Sequence, residues 1–197
     1  MNLPNKLTVS RFALTAVFLA VFFWEFPGNE TIALIVFCLG GITDILDGEI
    51  ARRKKLITNF GILMDPLADK ILVCSAFIAF VERRETGIEA WMVVVIVGRE
   101  LAITGLRLLA ASQNHVLAAE SLGKHKTISQ ITTIIAVLVL MSHRQWGVFG
   151  QLFAFEIAGK AWIAWFAVIA KWLAVGLTIF SGAMYLWRNR AVYLDER

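Results

Sequence analysis

Charge is scarce in this chain. Only 17% of its 197 residues are Asp, Glu, Lys or Arg, while 58% are hydrophobic. That balance excludes an ordinary soluble domain. It also excludes a disordered tail, which needs low hydropathy and high charge. Cysteine is nearly absent. Cys38 and Cys74 both fall inside apolar runs, so neither a disulfide framework nor a zinc cluster fits, and both read as packing residues. Histidine is almost as sparse. His115, His125 and His143 show no metal-ligand spacing and read as loop or surface side chains. No internal repeat, low-complexity tract or long linker interrupts the sequence, so residues 1–197 are expected to form a single domain.

What the chain does hold is long apolar runs. A helix needs about 20 apolar residues to cross a bilayer. Six runs qualify, at about 9–26, 31–51, 61–81, 90–111, 127–142 and 162–187. The expected fold is all-α and integral to a membrane, a bundle of six transmembrane helices. The first run lacks a small-x-small cleavage site and is read as a retained helix, not a signal peptide. Before it, "MNLPNKLTVSRF" suggests a short N-terminal amphipathic segment lying on the inner membrane surface. The stretch 143–160, spotted with glycine and aromatics, suggests a short interfacial helix.

Basic residues are distributed unevenly between the connections. With the N-terminus inside, one side holds Lys6, Arg11, Arg52, Arg53, Lys54, Lys55, Lys124, Lys126, Arg188, Arg190 and Arg197, and the other only Arg83, Arg84, Arg144 and Lys160. Cytoplasmic loops carry the excess of Lys and Arg, so both termini are expected in the cytoplasm. Trp24, Trp91 and Trp146 then fall at the outer interface and Trp187 at the inner one. Basic clusters so placed face anionic headgroups rather than nucleic acid. Lys171, within the last run, has no evident partner; it snorkels or meets an acid across a subunit interface.

Against this background, four aspartates in 26 residues stand out: Asp44, Asp47, Asp65 and Asp69. Asp44 and Asp47 are three apart near the cytoplasmic end of the second run, so they share a helix face. Gly48 and Ala51, small and nearby, let a bulky group approach the backbone. A basic connection follows, and Gly61, Asp65 and Asp69 then recur every four residues on the third run. Both pairs sit near one membrane surface on antiparallel neighbours and can converge. Carboxylates that close need neutralising. Oxygen ligands suit hard cations such as Mg²⁺ or Mn²⁺, and two such ions suit phosphoryl displacement. Acids embedded near a membrane are functional candidates in their own right.

The pattern Asp44-x2-Asp47-Gly48-x2-Ala51-Arg52-x8-Gly61-x3-Asp65-x3-Asp69 resembles the signature of the CDP-alcohol phosphotransferases, with every spacing intact. The resemblance implies a six-helix, homodimeric membrane enzyme that moves a phosphatidyl or similar group from a CDP-linked donor to an alcohol, releasing CMP. It implies that Asp44, Asp47, Asp65 and Asp69 hold two divalent ions, Mg²⁺ or Mn²⁺, and that Asp69 is the base. Gly48, Ala51, Arg52 and Gly61, with Asn5 and Thr8, would then form the donor's bed.

Two further stretches bear on the acceptor alcohol. In "GRELAITGLR", Arg99, Glu100 and Arg107 are costly at depth unless paired or facing a cavity, and Glu100 and Arg107 face the same way. In "GKHKTISQ", Lys124, Lys126 and Thr127 lie at the cytoplasmic mouth of the fifth run, a setting that suits a phosphate. With "NLPNKLTVSR" and "MDPLADK", these stretches resemble the bacterial members that make phosphatidylglycerophosphate. The implied donor is CDP-diacylglycerol, the implied acceptor glycerol 3-phosphate held by Arg107, Lys124, Lys126 and Thr127, and the implied location the bacterial inner membrane with a cytoplasmic site. Other acceptors (inositol phosphate, serine, phosphatidylglycerol) give the nearest alternatives. A cation transporter is the rival from another class. It would need matching acids in the outer halves of the runs and paired broken helices, and neither is present.

Overall fold

The computed structural model describes residues 3–54, 59–112, 117 and 121–194; within its helices, the side chains of residues 3–8, 44–54, 59–66, 69, 121, 122, 191 and 194 are outside the description. The described chain is almost wholly helical. In order it forms α1 (Leu3–Phe23), α2 (Asn29–Lys54), α3 (Asn59–Glu82), α4 (Ala90–Ser112), α5 (Ser121–Ser142), α6 (Val148–Ala154), the strands β1 (Glu156–Ile157) and β2 (Lys160–Ala161), α7 (Trp162–Arg188) and α8 (Ala191–Leu194).

The long helices follow the apolar runs, with two instructive departures. Residues 3–23 form one continuous helix, so the residues of the expected N-terminal segment are continuous with the first apolar run as the first turns of α1. Pro4 does not break it, because the first turn of a helix has no intrahelical partner for the missing N–H. Helix α5 is already formed at Ser121, ahead of the apolar run, because Lys124 and Lys126 are good helix formers that a hydropathy window discounts. The stretch 143–160 does contain the expected short helix, α6. It also contains an antiparallel ladder pairing Glu156 with Ala161 and Ile157 with Lys160. The turn between the strands uses Ala158 at φ 51° and Gly159 at φ 77°, the left-handed conformations that tight hairpins require.

Helix α1 packs on α2 and α3, α5 on α7 and α2, and α4 on α3 and α7. A buried aromatic core lies toward the end carrying the α1–α2 and α3–α4 connections. There Phe18, Phe22, Phe37, Phe77, Phe80, Met92, Ile96, Ile134, Val137 and Leu138 are buried together. Phe18 stacks on Phe22 with ring centres 5.9 Å apart, and Phe22 meets Phe80 at 5.6 Å. Such offset ring pairs add to simple burial.

Polar ties hold the connections at that end. Arg83 lies 3.9 Å from both Glu25 and Glu85 and sits 5.7 Å over the Phe22 ring. Trp146 Nε1 donates to Thr31 Oγ1 at 2.9 Å, which fastens the stretch before α6 to the start of α2. His143, expected in a surface loop, is buried, and its ring lies 2.9 Å from the Leu140 carbonyl. Lys171 reaches the α3–α4 connection, where its Nζ donates to the Gly87 carbonyl at 2.5 Å. Cys38 and Cys74 are free, half-buried thiols.

The outer surface is apolar around the bundle. Val94 and Leu101 on α4, and Ile169, Trp172, Leu173 and Phe180 on α7, are exposed. So are Ile35 and Ile42 on α2 and Ile78 on α3, while Trp24 and Trp187 are 72% and 70% exposed. Contiguous apolar surface on this scale marks contact with lipid or protein. Among the described residues, Gly123–Gln145 and Trp162–Arg188 are long and apolar enough to cross a membrane. The remaining four long helices are not established as spans by that measure.

Candidate active site

The other end of the bundle lies opposite the phenylalanine cluster. The C-terminal turns of α2 and the N-terminal turns of α3 lie there, and the aspartate signature is written on them. Asp44, Asp47, Gly48, Ala51 and Arg52 belong to α2, and Gly61, Asp65 and Asp69 to α3. Both helices run unbroken through their motifs, so the three- and four-residue spacings translate into shared faces. Asn5 and Thr8 lie in the first turns of α1. The side chains of all ten residues lie outside the described set. Among the described residues, no group of three or more His, Cys, Asp or Glu could hold a metal ion.

Beside this hairpin, α3, α4 and α5 line an open basic cavity of about 410 Å³. Its charged lining is Lys70, Arg99, Arg107, Lys124, Lys126 and Glu100. The four residues expected to hold the acceptor's phosphate, Arg107, Lys124, Lys126 and Thr127, therefore line one space. Their settings differ. Lys124 and Thr127 are exposed. Arg107 is placed by α7: its Nε donates to Tyr185 Oη at 3.1 Å, and its guanidinium lies 5.3 Å from the centre of the same ring. Lys126 is buried and donates to Glu100 Oε1.

Glu100 is the centre of this arrangement. It is 4% exposed and meets three cations: Lys126, Lys70 at 3.3 Å and Arg99 at 3.4 Å. Lys70 also donates to Thr104 Oγ1 at 2.5 Å, and Arg99 to Ser181 Oγ on α7 at 3.4 Å. Gly182 makes that last approach possible, since a Cβ there would lie 2.9 Å from Arg99 Cγ. Sequence reasoning placed Glu100 on the face of Arg107, and both do line the cavity. It missed Lys70, the lysine that follows Asp69. The available signal was that spacing: Lys70 flanks the aspartate motif and closes the stretch "MDPLADK", where no role was assigned to it.

A second cavity, about 340 Å³, lies between α1, α2, α3 and α5. Leu14, Phe37, Ile42, Leu72, Val73, Ile131 and Ile135 give it an apolar lining, and Gly41 leaves it open because nothing lies within 4 Å of where its Cβ would be. Arg11 and Thr127 supply polar lining. Thr127 lines both cavities, so the basic and apolar spaces adjoin at the start of α5.

A cavity lined by cations, an apolar recess adjoining it and the two helices that carry the aspartate signature thus lie side by side. That combination suits chemistry on a phosphorylated lipid. The family model described as CDP-alcohol phosphatidyltransferase matches residues 1–180. The chain is 40% identical over 200 residues to a CDP-diacylglycerol–glycerol-3-phosphate 3-phosphatidyltransferase of Bacillus subtilis (strain 168), covering 95% of each chain. It is 32% identical to a protein of the same name from Rickettsia bellii, covering 93% of each. For a third, from Haemophilus influenzae, the identity is 30%, covering 99% of this chain and 97% of that one. A family match over most of the length, carried by the intact aspartate signature, places this chain among the CDP-alcohol phosphatidyltransferases.

Proposed function

We propose that the protein transfers the phosphatidyl group of CDP-diacylglycerol to glycerol 3-phosphate, giving phosphatidylglycerophosphate and CMP. The observation that carries this reading is the basic cavity beside the aspartate hairpin, adjoining an apolar recess at Thr127. It agrees with the printed names of the three relatives. The surrounding architecture is proposed as six membrane-spanning helices with the site on the cytoplasmic side of a bacterial inner membrane, where positive charge accumulates. A homodimer accords with the family resemblance.

The donor set of Asp44, Asp47, Asp65 and Asp69 is four hard oxygen ligands, which fits two Mg²⁺ or Mn²⁺ ions. When bound, such ions neutralise the donor's diphosphate and the charge on departing CMP. The rest of the chemistry falls to the chain's own residues. Arg52, with Gly48, Ala51, Gly61, Asn5 and Thr8, beds the cytidine diphosphate. The apolar recess takes acyl chain. Arg107 and Lys124, with Lys126 beside them in the cavity wall, draw in the acceptor's phosphate and so orient its hydroxyl. Asp69 takes the hydroxyl proton as the oxygen attacks the phosphorus attached to diacylglycerol. A new P–O bond forms, the P–O bond to CMP breaks, and CMP carries away the electron pair. Positioning and electrostatics supply the rate.

The first test separates enzyme from cation transporter. Purified protein with CDP-diacylglycerol, glycerol 3-phosphate and Mg²⁺ should release CMP in step with new lipid phosphate. Absence of CMP release, with cation flux in proteoliposomes, would favour the transporter.

A second test addresses the cavity. Arg107→Gln and Lys124→Gln should raise the apparent KM for glycerol 3-phosphate and leave that for the donor nearly unchanged. Loss of a hydrogen bond to a charged group costs about 1.5–3 kcal/mol, or roughly ten- to a hundred-fold at 1.4 kcal/mol per decade. Lys124, being exposed, should fall at the lower end. A donor KM that rises instead, with acceptor KM unmoved, would assign the cavity to the nucleotide or to headgroups.

A further inference from the structure

Glu100 raises a question that phosphate binding does not answer. A carboxylate repels the ligand that a basic cavity would hold, yet this one is buried in its wall. Its three cationic partners come from three helices: Lys70 from α3, Arg99 from α4 itself and Lys126 from α5. Arg107 and Lys124, by contrast, make no ion pair among the described residues, which leaves their charge available to an anion.

We propose that Glu100 is a positioning residue, which clamps Lys70 and Lys126 and so fixes the acceptor cavity against the helix that carries Asp65 and Asp69. This rests on the proposed transfer to a phosphorylated acceptor. The geometry supplies the reason. Successive residues on a helix are about 100° apart and rise 1.5 Å. Lys70 is held at two points, Glu100 Oε2 at 3.3 Å and Thr104 Oγ1 at 2.5 Å, both on α4. Holding it there fixes the rotation and height of α3 at that turn, and Asp69 is the preceding residue. The other carboxylate oxygen, Oε1, holds Lys126 on α5, beside Thr127 where the two cavities adjoin. One side chain therefore sets the spacing between the wall that receives the acceptor and the helix that carries the proposed base. Glu100 touches neither reactant in this account. Its effect is exerted through the lysines.

The experiment is steady-state kinetics of Glu100→Gln, Lys70→Gln and the double variant, normalised to folded protein measured by thermal unfolding in detergent. Wild type is first assayed with a panel of phosphorylated acceptors, and the best one is used throughout. The expected result is a fall in kcat on the order of ten- to a hundred-fold, the scale at which small misplacements act, with acceptor KM changed less than about threefold. Glu100→Asp should recover part of kcat, because charge returns while reach is shortened. The double variant should be no slower than the worse single one, since both act through one contact. If Glu100→Gln does not fold, Lys70→Gln carries the same split of kcat from KM, its side chain being only partly buried. A per-molecule kcat within about threefold of wild type in Lys70→Gln, a loss confined to acceptor KM, or multiplicative losses in the double variant would each overturn the proposal. Such results with an active wild type leave the proposed function intact. A wild type that uses no phosphorylated acceptor overturns both.

Discussion

Chelation of divalent ions should abolish phosphatidyl transfer, and Mg²⁺ or Mn²⁺ should restore it. Asp44 and Asp47 are three residues apart on α2, and Asp65 and Asp69 four apart on α3. Side chains so spaced lie about 5–6 Å apart at Cβ. Two unit charges about 5.5 Å apart repel by about 3 kcal/mol at the effective dielectric near a protein surface. Four such groups on consecutive helices are strongly unfavourable as free ions, and the all-oxygen set favours hard divalent cations. The expected drop is to background, because without those cations neither the donor's diphosphate nor the leaving CMP has its countercharge. Thermal unfolding should shift downward on chelation as well, since ions that bind only the folded state stabilise it. Undiminished turnover in excess chelator, with removal verified by elemental analysis, would refute this reading.

Replacing Asp69 by Asn should give the second-largest effect. The change is nearly isosteric, so α3 should persist, but an amide accepts no proton from the acceptor hydroxyl. Loss of a general base costs on the order of 10²- to 10⁴-fold. Asp69 is also a proposed metal ligand, so the two roles are separated by metal titration. If the base role dominates, Asp69→Asn should bind metal and donor nearly as wild type while kcat collapses. If ligation dominates, higher Mg²⁺ should recover much of the rate. A near-normal rate at ordinary Mg²⁺ would remove Asp69 from both roles.

How much of this was legible in the sequence depended on the range of the interaction concerned. Apolar runs located the long helices because burial and lipid contact both demand apolar residues along the length. Their polar ends were less visible: α5 is already formed at Ser121 and α1 at Leu3, since helix propensity carries on where hydropathy stops. The ladder at Glu156–Ala161 escaped because it depends on a left-handed turn at Ala158 and Gly159, with only two residues in each strand. The aspartate motif was readable because its spacing is local. The cation cluster that lines the basic cavity was half readable. Arg107 and Lys124 could be read as cations near a cavity. That Lys126 points at Glu100, and that Lys70 joins them from another helix, follows from packing among α3, α4 and α5, which no local pattern encodes. Lys171 shows the same limit, its partner being a backbone carbonyl at Gly87, 84 residues away.

The central claim is that a phosphorylated alcohol is the acceptor, and an acceptor panel tests it most directly. Purified protein, CDP-diacylglycerol and Mg²⁺ would be offered glycerol 3-phosphate, glycerol, inositol phosphate, serine and phosphatidylglycerol, with the lipid product identified by mass. The basic cavity predicts phosphatidylglycerophosphate as the main product and a kcat/KM for glycerol 3-phosphate at least about tenfold above that for glycerol, the value of one charged hydrogen bond. Equal use of glycerol, or preference for serine or phosphatidylglycerol, would contradict the account.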